Sequence, residues 1–399
     1  MFSSMKEKKI VTILGATGSV GQNTVDVICK NPESFEVYAV TANENVELLA
    51  ATAIKVGAKL AVIANQNLEN DLIKLLSDSD VKTRSGSEAI NECAAHNVDI
   101  VMCAIVGFAG LRPLIYAIEN GNNVAVANKE PLVAAGEFIT NLAKENGVKI
   151  LPVDSEHNAI FQVFEDNNKG QVYKLILTAS GGPFLNWNKK EIDNATTDQA
   201  LKHPNWSMGA KISIDSATMM NKALEIIEAA YLFDLPSEQI DVVIHRQSII
   251  HSMVSYKDGS MLAQLGQSDM RTPIASALSW PDRLDTGGGI LNVYELSTLT
   301  FEKPDIVKFP ALKYAYKCLE LGQGACITLN ASNEVAVAAF LEKIISFGDI
   351  IKCNMYAIDN LYPKLAYYEL KTIEDVENLD QTVHLAIKEY IVTKLTPKG

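Results

Sequence analysis

No two cysteines are spaced C-x-x-C, although six are present, at positions 29, 93, 103, 318, 326 and 353. A chain of 399 residues can build its core without covalent staples. The sequence therefore excludes a disulfide scaffold and points to reduced thiols in a cytoplasmic setting, each expected as a small buried hydrophobe. An excess of basic charge is also missing. There are 35 Lys+Arg against 48 Asp+Glu, a formal net charge of -13. That argues against nucleic acid as a partner and leaves room for an anionic ligand only where a local cluster reverses the field. No uninterrupted apolar run reaches membrane length, because the longest, Ile100 to Ile118, contains Gly107, Gly110, Arg112 and Pro113. The opening MFSSMKEKKI has charge but no apolar segment behind it, so neither a signal peptide nor a membrane partner is expected. Internal repeats are absent, and 48% apolar with 21% charged residues excludes disordered and collagen-like classes.

What is present is an alternation. Up to about residue 150, apolar runs (KKIVTILGA, FEVYAVTA, KLAVIA, VDIVMCAIV, NNVAVAN, VKILPVD) alternate with segments of helical periodicity. Continuous apolar strands separated by helices predict a Rossmann-like, doubly wound parallel sheet over 1–153. From 154 to 280 the pattern changes to longer helices and strands of alternating polarity, which predicts an α+β second domain with an antiparallel or mixed sheet. Residues 281–306 are punctuated by glycine and proline and read as a linker. Residues 307–399 have helical periodicity and predict a C-terminal α-helical bundle.

The first strand runs into Gly15, Gly18 and Gly21, spaced G-x-x-G-x-x-G, with Thr17 and Ser19 between them. After a strand and before a helix, such glycines let the turn close and let backbone N–H groups approach a pyrophosphate at the helix N-terminus. A carboxylate at the end of the second strand would hold the ribose 2′-OH of NAD. Thr41, Ala42 and Asn43 stand there instead, which favours NADP, with Glu44 close by as a discordant charge.

Asp154-Ser155-Glu156 closes the strand VKILPVD, where alternate residues of an extended chain share a side. Two carboxylates there need a cation or a shared proton unless they are simply solvated. Asn221, Lys222 and Glu225 are spaced to share one helix face, ordinarily a surface pair. Joined to Asp154 and Glu156, Glu225 would complete an all-oxygen set suited to Mg2+ or Mn2+ and unsuited to zinc. Thr178-Ala179-Ser180-Gly181-Gly182-Pro183 follows another apolar strand and reads as an ordinary turn or as a loop of N–H and hydroxyl donors for a phosphate. In His203-Pro204-Asn205-Trp206-Ser207-Met208-Gly209, the tryptophan is either folded onto the body or used as a lid over a ligand. His245 and His251 read as structural.

GATGSVGQNT, NKE at 128–130, VDSEHNAIFQ, TASGGPF, HPNWSMG and DSATMMNKALE occur in this order, with HRQSIIHSMV, LAQLGQSDMRTPI and LNASNEVAVAAFL behind them. Over nearly its whole length the chain resembles the 1-deoxy-D-xylulose 5-phosphate reductoisomerase family. The resemblance implies an NADPH- and Mg2+- or Mn2+-dependent enzyme of non-mevalonate isoprenoid synthesis, typically a homodimer, that acts on 1-deoxy-D-xylulose 5-phosphate. It implies that Thr17, Gly18, Ser19, Val20, Asn45, Asn128, Glu130 and Gly209 contact NADPH. Asp154, Glu156 and Glu225 would hold the metal. Lys129, Ser155, Ser180, His203, Ser216, Asn221 and Lys222 would meet the substrate, beneath a flap at 200–210 that contains Trp206 and Met208. The family often carries a basic residue where Glu44 stands. Two rival readings are another NADP-dependent dehydrogenase and a non-catalytic NADP-sensing protein on the same fold. The metal carboxylates and TASGGPF argue against both.

Overall fold

The computed structural model describes residues 7–206, 209–296 and 298–395, which form two compact units. The first unit takes residues 1–131, 138–161 and 269–290, and the second takes 132–137, 162–268 and 291–399.

In the first unit, β1 (Lys9–Leu14), β2 (Phe35–Ala42), β3 (Leu60–Ile63), β4 (Lys82–Ser85), β5 (Ile100–Cys103), β6 (Asn123–Val126) and β7 (Ile150–Pro152) form one sheet. It runs β4-β3-β2-β1-β5-β6-β7, with every pairing parallel. The crossovers contain α1 (Ser19–Lys30), α2 (Val46–Val56), α3 (Glu69–Leu75), α4 (Ser87–Ala95), α5 (Leu111–Glu119) and α6 (Glu130–Glu145). This is the expected doubly wound sheet. Strands such as β3 and β5 are buried along their whole length, which is why they read as unbroken apolar runs. β4 is the exception. Its sequence, KTRS, lies at the sheet edge with no fully buried residue, and no apolar signal marked it. The order of strands reverses between β1 and β5, and in such sheets ligands bind at that switch point, beyond the carboxyl ends.

A second difference concerns α12 (Arg271–Ser279). By sequence it falls in the catalytic segment, yet Ile274, Ala275, Ala277 and Leu278 join the same core as Val11, Ile13, Val25 and Leu151. Lys9 on β1 is anchored to this segment through hydrogen bonds to the carbonyls of Leu278 (3.1 Å) and Trp280 (2.8 Å). The stretch 100–118, singled out for its apolar length, resolves into β5 and α5.

α6 bends at Ala135 (φ -139°, ψ 31°), and α7 (Ser155–Val163) follows β7. In the second unit, β8 (Val172–Ala179), β9 (Ile240–Ile244), β10 (Ile250–Tyr256) and β11 (Met261–Leu265) form a mixed sheet, β11-β10-β8-β9, in which β8 and β9 are parallel. Around it lie α8 (Lys189–Asp193), α9 (Thr197–Ala200), α10 (Ala210–Ala217) and α11 (Met220–Leu232). The bundle comprises α13 (Ala311–Leu321), α14 (Gln323–Leu341), α15 (Phe347–Tyr356), α16 (Tyr362–Leu365) and α17 (Ile373–Tyr390). By length and composition α14 could cross a membrane, but 78% of it is buried inside the fold. A helix that is apolar on all sides is what a bundle centre requires. Five of the cysteines are buried as expected, while Cys29 is exposed. Burial pushes the thiols of Cys93, Cys103, Cys326 and Cys353 up to about 12, so they are inert at neutral pH.

Candidate active site

The glycine turn lies at the switch point because its backbone must. Gly15 has φ +81°, and a Cβ there would stand 2.5 Å from the Ala104 carbonyl at the end of β5. Gly21 is crowded in the same way, since a Cβ would lie 2.6 Å from Cα of Ala16. Gly15 and Gly21 thus bring the start of α1 down onto the sheet, as the spacing predicted. Gly18 caps α1 in extended conformation (φ -77°, ψ 171°) without a side-chain cap. The first N–H groups of the helix, beside Thr17, Gly18, Ser19 and the half-buried Val20, lack intrahelical acceptors and so suit an anion. Asn45 does structural work, since its side chain accepts a hydrogen bond from the Leu48 N–H at 3.1 Å and caps α2. Asn128, after β6, keeps a buried side-chain NH2 with no partner in the fold, and with Leu14, Cys103, Ile105 and Pro131 it lines a small hollow at the carboxyl ends of β1, β5 and β6. Lys129 and Glu130 are buried beside it.

Asp154 and Glu156 are placed differently from the extended arrangement expected. Helix α7 begins at Ser155, and the Asn158 N–H donates to the Asp154 carbonyl (2.8 Å), so Asp154 heads the helix and Glu156 lies in its first turn. Carboxylates at a helix N-terminus are favoured by its partial positive charge, which accounts for DSE at this point. Ser155 Oγ donates to Glu156 Oε2 at 2.6 Å. Lys129 Nζ stands 2.7 Å from Asp154 Oδ2, and both side chains are about one-tenth exposed (11% and 9%). Burial alone would push the Asp154 carboxyl up. Lys129, with His157 second, outweighs it and holds Asp154 well below the usual carboxylate range. Spacing in the sequence did not reveal this pair, because it joins the ends of neighbouring strands β6 and β7.

In the second unit, the side chains of Asn221 and Lys222 both donate to Glu225, as their spacing on α11 foretold. The surface alternative is excluded: Lys222 is 4% and Glu225 0% exposed. The loop after β8 bends through Gly181 (φ +86°) and Gly182 (φ +65°), and a Cβ on Gly182 would meet the Ser216 carbonyl at 2.7 Å. The TASGG loop therefore packs onto the end of α10. Ser180 Oγ is hydrogen-bonded to His203 Nε2 (3.0 Å), which ties the loop to HPNW. His203 Nδ1 in turn accepts the N–H groups of Asn205 (3.2 Å) and Trp206 (2.9 Å). Trp206 is half-buried, its ring 6.2 Å from that of His251. Gly209 is exposed and caps α10. Met208 lies outside the described residues. A cleft of about 530 Å3 opens beside Ser180, with Lys202 and Arg246 on its wall. His245 and His251 are buried as structural residues, with His245 Nδ1 2.9 Å from the Thr300 carbonyl.

An anion-binding turn at the switch point of a doubly wound sheet is the arrangement of dinucleotide-binding enzymes, and the second unit adds buried charge that nucleotide binding does not need. The chain belongs to the 1-deoxy-D-xylulose 5-phosphate reductoisomerase family. Three family models match it: 1-deoxy-D-xylulose 5-phosphate reductoisomerase over residues 11–136, its C-terminal domain over 150–233, and the DXP reductoisomerase C-terminal domain over 265–385. The 1-deoxy-D-xylulose 5-phosphate reductoisomerase of Zymomonas mobilis is 47% identical over 381 residues, covering 96% of this chain and 97% of its own. That of Rhodospirillum centenum is 50% identical over 370 residues, covering 93% and 91%. Among solved structures, the Zymomonas mobilis enzyme in complex with NADPH superposes with a TM-score of 0.90 at 44% identity, covering 97% of this chain and 100% of the other. A DOX-P reductoisomerase in complex with NADPH, fosmidomycin and magnesium gives 0.93 at 41% identity, covering 96% and 98%. The activity of this chain is that of its family, the reductive isomerisation of 1-deoxy-D-xylulose 5-phosphate.

Proposed function

We propose that this chain binds NADPH and a divalent cation, Mg2+ or Mn2+, and converts 1-deoxy-D-xylulose 5-phosphate to 2-C-methyl-D-erythritol 4-phosphate. The functional division is a nucleotide segment (1–153), a catalytic segment (154–280), a linker (281–306) and a helical segment (307–399). The observation that carries the reading is the buried Asn221–Lys222–Glu225 cluster. A carboxylate with no exposure is tolerated only beside cations and donors. Asp154, Glu156 and Glu225 fit a hard divalent ion, because all three offer carboxylate oxygen and Lys129 already holds Asp154 ionised. When bound, NADPH supplies the hydride and the divalent ion supplies Lewis acidity.

The chain's own residues orient and shield. Thr17, Gly18, Ser19 and Val20 receive the dinucleotide phosphates at the start of α1, Asn45 lies toward the adenosine ribose, and Asn128, Glu130 and Gly209 complete the cofactor contacts. The unpartnered amide of Asn128 supports that role. Ser180, Ser216, Asn221 and Lys222 hold the substrate phosphate and polyol, with His203 set by its bond to Ser180. Lys129 and Ser155 meet the reacting end. Trp206 covers the substrate and keeps water from it. Lys129, Lys222 and the N-terminus of α1 supply positive potential locally in a chain of net charge -13.

The chain acts as a homodimer in the cytoplasm, without nucleic acid or membrane partners. Exposed apolar residues support the dimer: Met261, Leu262 and Leu265 on the edge strand β11, and Val293, Tyr294 and Val307 farther along. The test is NADPH oxidation followed by absorbance with 1-deoxy-D-xylulose 5-phosphate and Mg2+ or Mn2+. Oxidation that requires all three components is expected. No oxidation, or oxidation unaffected by a chelator, overturns the reading.

A further inference from the structure

We propose that Asn333, on α14, is a positioning residue that fixes the substrate-holding corner between α10 and α11 through Asp215. Asp215 immediately precedes Ser216 and is 2% exposed. Its Oδ1 accepts from Asn333 Nδ2 at 2.7 Å, and its Oδ2 stands 3.0 Å from Lys211 Nζ one turn back on α10. Asn333 in turn accepts from Asn354 Nδ2 on α15 at 3.2 Å, and both asparagines are wholly buried. A polar line thus joins α10, α14 and α15 through buried side chains.

Apolar packing could bury these helices as well, but it leaves one helix free to shift along its neighbour. A charged hydrogen bond in a dry interior does not. The corner it holds needs such control. Met219 sits at φ +61°, a left-handed conformation unfavourable to a side chain, and Thr218 Oγ1 straddles the turn, bonded to the Ile214 and Asp215 carbonyls (3.2 and 3.1 Å) while accepting the Met220 N–H (3.2 Å). Ser216, Asn221 and Lys222 flank this corner, and Gly182 abuts the Ser216 carbonyl. A shift of α10 against α14 moves the group on Ser216 relative to the TASGG loop, and displacements of that size are costly to a bound, reacting substrate. The helical segment, which supplies none of the proposed substrate contacts, thereby sets their register.

This inference rests on the proposed substrate role of Ser216, and the experiment separates the two. Steady-state kinetics and thermal melts are compared for Asn333→Leu, Asn333→Asp, the exchange Asp215→Asn with Asn333→Asp, and Ser216→Ala. Each single change at 333 is expected to raise the KM for 1-deoxy-D-xylulose 5-phosphate about tenfold or more, with the KM for NADPH within about twofold, since the charged hydrogen bond that is lost lies at the Ser216 end of α10 and Gly209 caps the other end. The exchange restores a donor on 215 and an acceptor on 333, and is expected to bring the substrate KM back to within about threefold of the parent. An unchanged substrate KM, a parallel rise in both KM values, or an exchange that recovers nothing overturns the inference. If Asn333→Leu does not fold, Asn333→Ser is read by the same criteria. Ser216→Ala stands apart: an unchanged substrate KM there refutes the role of Ser216 itself, whatever the variants at 333 do.

Discussion

Lys129→Met tests whether the Lys129–Asp154 pair keeps a buried carboxylate ionised. The two groups are 2.7 Å apart and about one-tenth exposed. Removing one partner of such a pair leaves an uncompensated buried charge, a loss of about 3–5 kcal/mol. The sign with pH follows from Asp154, whose carboxyl is held below its ordinary value by Lys129 and His157 against the upward push of burial. A depressed folded pKa adds stability that is present above the unfolded value, about 3.9, and is lost as pH falls through the folded one. The loss in Lys129→Met should therefore be full at pH 7 and shrink under acid, where protonation relieves the unpaired charge. Chemical denaturation at pH 7 and pH 5, in EDTA so that no divalent ion replaces the ammonium, measures it. Lys129→Met should lose about 3 kcal/mol at pH 7, and adding Asp154→Asn should recover about half of that or more, because the unpaired charge is then gone. A single variant within about 0.5 kcal/mol of the parent, with no recovery in the double, would refute the reasoning.

Three further outcomes are expected. Glu225→Gln should abolish turnover that depends on a divalent ion while NADPH affinity, read by fluorescence titration, stays within about threefold, since Glu225 lies on a different unit from the nucleotide turn. Gly182→Ala should destabilise the protein by about 1–3 kcal/mol in a melt and raise the substrate KM, because its φ is +65° and the added Cβ meets the Ser216 carbonyl; parent-like behaviour would free the loop from α10. In the bundle, burial and then Glu334 and Glu377 push Asp380 up to about 7. A raised carboxyl contributes stability that is present at low pH and is lost as pH climbs through about 7, so Asp380→Asn should be the more stable form at pH 8, by roughly 1–3 kcal/mol. A pH-stability profile that is identical in both proteins would sink that expectation.

The legible parts of the fold were those in which local pattern and tertiary burial agree. β1, β2, β5 and α1 were readable because continuous apolar strands and a glycine turn have few other uses. β4 was not, because an edge strand made of KTRS buries no face and so leaves no periodicity. α12 was assigned by its neighbours in sequence, although it packs on α1, β6 and β7. For Asp154 and Glu156 the backbone differs from the extended chain expected: the helix starts one residue after Asp154.

The sequence by itself determined the chemistry available: the glycine turn, the absent carboxylate after β2, the carboxylates of DSE and α11, and the hydroxyl loop. These are local because each depends on residue type and on spacing within one turn or one helix face. Only the tertiary structure decided which charges are dry and what answers them. Lys129 meets Asp154 because β6 and β7 are neighbours in a parallel sheet. The Lys222–Glu225 pair is buried rather than solvated, which the spacing of the two residues on α11 does not show. Asn333 reaches Asp215 because α14 runs through the centre of the bundle. A charge carries no mark of its own desolvation, and the packing that removes water comes from segments far away in the chain.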